Sequence, residues 1–129
     1  MHQEIPADMD GLAKLVVDSA FKVHATLGPG LLESAYQQCM QIELTTRGVE
    51  FEAQKALSIV YQGIEIPGAF KVDLLVKGAL LIELKAVESL LPIHRAQTLT
   101  YLRLSGLRLG LLINFNTALI KDGIKRIVN

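Results

Sequence analysis

The chain of 129 residues has no tryptophan, one cysteine and three histidines. A lone Cys39 has no partner for an internal disulfide and no second thiol for a zinc knuckle. This excludes a disulfide-stapled scaffold and points to a reducing, cytoplasmic setting, with Cys39 packing as a small hydrophobe. A charge surplus is also missing. Thirteen Lys and Arg balance thirteen Asp and Glu, so bulk charge does not advertise nucleic-acid binding. No uncharged apolar run reaches the roughly 18–20 residues that span a bilayer. The opening MHQEIPADMD is too acidic and polar for a secretory signal, so no membrane role is expected. Repeats, low-complexity stretches and linkers are absent. With half of its residues apolar, 1–129 reads as a single domain with enough core to fold alone.

The charge that is present is unevenly distributed. Residues 1–55 hold four Lys and Arg against eight Asp and Glu, while residues 56–129 hold nine against five. The second part, with Arg95, Arg103, Arg108, Lys121, Lys125 and Arg126, is mildly basic. That pattern fits an ordinary solvated surface or a modest phosphate-binding face.

Three charges stand out because they interrupt apolar runs. Asp73 lies in AFKVDLLV, and Glu83 and Lys85 lie in ALLIELKAV, on either side of Gly78. Such runs become buried strands, where a charge is costly unless paired or metal-bound. A hairpin centred on Gly78 brings Asp73 opposite Glu83, with Cβ atoms roughly 4.5–5.5 Å apart. Lys85 then shares their face. Phe70, Val72, Leu74 and Val76 point the other way, with Leu80, Ile82 and Leu84. A two-residue Lys77-Gly78 turn would instead shift the register by one and separate the acids. Facing carboxylates repel, so either one takes a proton or a cation sits between them, and oxygen-only ligands suit Mg²⁺ or Mn²⁺. An Asp–Lys–Glu network that only stabilises the hairpin accounts for the same residues.

The remaining pattern predicts a helix from about Met9 to Leu27 with Asp10 near its cap, and a second from about Leu31 to Arg47. A hairpin follows around Gln62-Gly63, and Pro67-Gly68 breaks the run before the Asp73 strand. A third helix starts near Pro92 and ends near Gly106. Gln97 and Tyr101 share a face of it, on a stripe that Ile93 and Leu104 extend against the sheet. LRLGLLINF is a fully buried strand, and ALIKDGIKRIVN ends in a short edge strand. The strand–helix–strand crossover implies a parallel pair beside an antiparallel meander. The expected class is α/β, a mixed sheet with helices on both faces. His24 reads as packed or capping, His94 as an exposed residue near a helix start, and Tyr36 as a core aromatic with a satisfied hydroxyl.

Three ordered features carry a resemblance. They are Gly30-x-x-Glu33-x-x-Tyr36, then Asp73 with Glu83-x-Lys85, then Gln97-x-x-x-Tyr101. Together they resemble the PD-(D/E)XK nuclease superfamily, and more narrowly its small GxxExxY proteins, over nearly the whole chain. Val72 stands where the nominal motif has proline. The resemblance implies a restriction-endonuclease-like core and Mg²⁺-dependent hydrolysis of phosphodiester bonds in DNA or RNA. It implies Asp73, Glu83 and the Leu84 carbonyl as metal ligands, with Glu33 completing the shell directly or through water. Lys85 would orient the attacking water or stabilise developing charge, and Gln97 and Tyr101 would contact the site and the nucleic-acid backbone. A second expectation from a different class is a catalytically silent nucleic-acid-binding or regulatory module on the same fold. The high apolar content also raises a homo-oligomer, for example a dimer.

Overall fold

A computed structural model of the chain describes residues 7–129; MHQEIP, including His2, lies outside the described residues. In chain order the elements are α1 (Ala7–Leu27), α2 (Glu33–Thr46), β1 (Phe51–Tyr61), β2 (Ile64–Val76), β3 (Leu80–Lys85), α3 (Pro92–Ser105), β4 (Leu109–Asn114), α4 (Ile120–Gly123) and β5 (Ile124–Val128). The strands form one sheet in the order β1-β2-β3-β4-β5. Only β3 and β4 run parallel, joined through α3, as the crossover length requires. Asp10 lies inside α1 rather than at its cap, and its carboxylate pairs with Arg126 of β5.

Each face of the sheet has its own core. On one side Val16, Ala20 and Val23 of α1 and Tyr36, Met40 and Leu44 of α2 pack on Leu74, Val76, Leu80, Ile82, Leu84, Leu109, Leu111 and Ile113. On the other, Leu102 of α3 packs on Val72, Leu75, Leu81, Leu112 and Ile127. Gly110 of β4 lets α3 approach, because a Cβ there would sit 3.3 Å from the Thr98 methyl and 3.4 Å from Leu102. Against the expectation, Ile93 and Leu104 do not face the sheet; they are 65% and 50% exposed. The buried stripe of α3 is Thr98 and Leu102, and Gln97 and Tyr101 lie at its margin.

The register between β2 and β3 is the one centred on Gly78, with Leu74 opposite Ile82, Leu75 opposite Leu81 and Val76 opposite Leu80. Lys77 and Gly78 do form the tight turn, both with positive φ (51° and 63°), and Ala79 N–H donates to the Val76 carbonyl at 3.0 Å. Ala79 is absorbed into the loop instead of pairing, so the alternative register does not arise.

Two features of β2 depart from expectation. Phe70 and Val72 pack with the α3-side core, whereas Leu74 and Val76 pack with the α1/α2-side core. Strict alternation would put all four on one face. The alternation breaks at Asp73, opposite Gln54 of β1, which has a φ of 50° inside a strand. Pro67-Gly68, for its part, does not end the run. β2 continues through it, and Pro67, Gly68 and Ala69 together stand opposite the single residue Ser58. This bulge absorbs the missing proline N–H.

Candidate active site

Main-chain pairing between β2 and β3 stops at Leu74 and Ile82, and the carboxylates take over from there. Asp73 Oδ2 accepts the Leu84 N–H at 2.8 Å, and Glu83 Oε1 accepts the Asp73 N–H at 3.2 Å. The two acids therefore meet across the strands, each tied to the other strand's backbone. Two amides complete the hold on Asp73. Gln54 Nε2 donates to its Oδ1 at 3.2 Å, and Gln37 Nε2 of α2 donates to its carbonyl at 2.9 Å. Lys85 follows two residues after Glu83 and is half-buried.

The start of α2 is held by Tyr36. Its hydroxyl donates to the Gly28 carbonyl at 2.6 Å and accepts the Leu31 N–H at 3.1 Å, and its buried ring stacks on Phe115 at 4.5 Å. Between those two backbone groups Gly30 takes φ 99°, a conformation that side chains rarely adopt. The Gly30, Glu33, Tyr36 spacing thus has a local cause. The glycine makes the turn, the tyrosine clamps it, and Glu33 becomes the first residue of α2. Phe115, in turn, donates its N–H to the Lys85 carbonyl at 2.9 Å.

From the other face, Gln97 Nε2 donates to the Tyr101 hydroxyl at 3.0 Å, and the Tyr101 ring stacks on Phe70 at 4.6 Å. His94 Nδ1 accepts the Leu91 N–H at 3.0 Å, which leaves the proton of the neutral ring on Nε2. His24 is packed as expected, its Nε2 2.8 Å from the Thr117 carbonyl. The loop after Lys85 is fastened by buried Asn114. Its Oδ1 accepts the Val87 N–H at 3.0 Å and its Nδ2 donates to the Val87 carbonyl at 2.9 Å.

Electrostatic coupling binds these groups into one cluster. Burial, then the neighbouring Asp73 charge, pushes the Glu83 carboxyl up to about 8, against the pull of Lys85. Burial and Asp73 also raise Glu33, while Lys85 and His94 oppose them. Burial and Glu83 raise the Tyr101 phenol. Glu33, Asp73, Glu83, Lys85, Gln97 and Tyr101 are thus linked to one another by charge or by hydrogen bonds. Sequence reasoning missed Gln37, Gln54 and Asn114. A polar residue in a buried run must find partners, so Asn114 in LLINF and Gln37 one turn after Glu33 were readable signals. Gln54 carried none.

A five-stranded mixed sheet with helices on both faces and an acid pair at the parting of two strands defines a restriction-endonuclease-like fold. The family described as the PD-(D/E)XK nuclease superfamily matches residues 10–127, so the chain belongs to that superfamily. No curated protein and no solved structure matches it. Among the described residues no helix is long and apolar enough to cross a membrane.

Nucleases of this superfamily typically use divalent metals. The donor set here fits one. Two adjoining carboxylates, one of them held protonated near neutral pH, form a site where a cation would displace that proton. Among the described residues no three His, Cys, Asp or Glu side chains come together closely enough to hold a metal unaided. Mg²⁺ does not need that, since it keeps several waters and binds through one or two carboxylates plus substrate phosphates.

Proposed function

We propose that the chain is a GxxExxY protein that hydrolyses phosphodiester bonds of DNA or RNA with Mg²⁺, for which Mn²⁺ can substitute. The observation that carries this reading is the acid pair itself, Asp73 and Glu83 meeting where the β2–β3 ladder ends, with Lys85 two residues on. Asp73, Glu83 and the Leu84 carbonyl would hold the cation, and Glu33 would reach it directly or through water. A bound cation would supply Lewis acidity for activating water and neutralising phosphoryl charge. Lys85 would orient the attacking water or neutralise charge building on the phosphate, a task suited to a compact ammonium. Gln97 and the Tyr101 hydroxyl, already bonded to each other, offer a donor to the nucleic-acid backbone. Gln37 and Gln54 keep Asp73 aimed.

Purified protein should cleave single- or double-stranded DNA or RNA with Mg²⁺ or Mn²⁺ and stop when the metal is chelated. Lys85→Ala should lower the rate by roughly 10²-fold or more, in the range of removing one transition-state donor, with an unchanged circular dichroism spectrum. Cleavage that persists in Lys85→Ala would overturn the assignment. Metal-independent binding without turnover would favour a silent binding module.

A further inference from the structure

The outer half of the β1–β2 hairpin is a two-stranded ribbon that the described residues leave bare. Every residue from Tyr61 to Ala69 is exposed. The pairing of Leu57 with Phe70, Ile59 with Ile66 and Tyr61 with Ile64 puts six apolar residues on one face. It is the α3-side face, because Leu57 and Phe70 pack with the α3-side core. The strip therefore starts at the Phe70–Tyr101 stack beside the site and runs out to the tip, where Tyr61 and Ile64 are 64% and 69% exposed.

We propose that a second copy of this chain covers the strip, the two ribbons packing face to face about a two-fold axis, tip against base. Two observations favour that occupant. The strip carries no Lys or Arg, so no cation on it attracts a phosphate backbone. It also carries no acid, and the chain's formal net charge is zero, so two copies meet without repulsion and an apolar strip complements itself. Two strips together bury on the order of 1,000 Å², the threshold of a specific interface, so the dimer forms in a concentration-dependent way. It brings the tip of each ribbon to the Phe70–Tyr101 stack of the other copy.

Sedimentation velocity on the full chain tests this without reading catalysis, so it stands apart from the proposed hydrolysis. The wild type should pass from monomer to dimer between low micromolar and submillimolar concentration. The double variant Tyr61→Glu/Ile64→Glu should stay monomeric throughout, with an unchanged melting temperature because both positions are exposed. Val60→Glu, at a position 70% exposed on the opposite face of the same ribbon, should still dimerise. A monomeric wild type overturns the proposal, and so does a dimer that survives the double variant or one that Val60→Glu also breaks. Loss of nucleic-acid binding by the double variant of a monomeric wild type would assign the strip to substrate instead.

Discussion

The two faces of the sheet are built to different rules. Toward α1 and α2, β3 presents Leu80, Ile82 and Leu84, all buried in one apolar core. Toward α3 the same strand presents Leu81 and then Glu83 and Lys85, and the covering core is smaller. One face is apolar throughout, while the other buries a charged side chain, Glu83, where the β2–β3 ladder ends. The difference lies within a six-residue strand, so alternation alone separates its apolar side chains from its charged ones.

The strongest way to break this contrast is Ile82→Ala. It empties the larger core and should cost about 2–5 kcal/mol in urea unfolding, while leaving the specific activity of the folded fraction unchanged. An equal loss of activity per folded molecule would mean that the faces are not separable.

A second test uses pH on metal-free protein. Glu83 binds its proton more tightly folded than unfolded, so the folded state is favoured at low pH. Stability should be greatest below about 4.5, fall as the pH rises through that value toward about 8, and level off above. The slope reaches at most roughly 1.4 kcal/mol per pH unit for the group. Glu83→Gln should flatten most of it, and Mn²⁺ should lift its alkaline end. Melting curves across the window check the sign, which a core-facing residue would not produce.

The smallest effect is expected at the switch point. Gln54→Gly relieves a positive φ and should change stability by less than about 1 kcal/mol. It also removes the amide from Asp73 Oδ1, so metal affinity measured by titration calorimetry should fall several-fold. An unchanged affinity would make Gln54 a passive kink.

Much of this was legible in the sequence because a few residues are decisive locally. Pro92 and Gly106 bracket α3, and Gly78 with two out-of-place acids sets the β2–β3 register. The rest depended on contacts between distant segments. The exchange of faces at Asp73 arises from its pairing with Gln54 across the strand, which no local pattern records. Pro67-Gly68 has the composition of a break, yet β1 supplies a continuous partner and the strand passes through. Ile93 and Leu104 looked like core residues by spacing, but the close approach at Gly110 rotates Thr98 and Leu102 inward.

The Tyr36–Phe115 stack has a mechanical consequence. Tyr36 grips the turn that launches Glu33, and Phe115 grips the strand end that carries Lys85, so one pair of rings works as a strut between an acid and a base on separate elements. A displacement of the α2 start is therefore passed through the two rings to the end of β3.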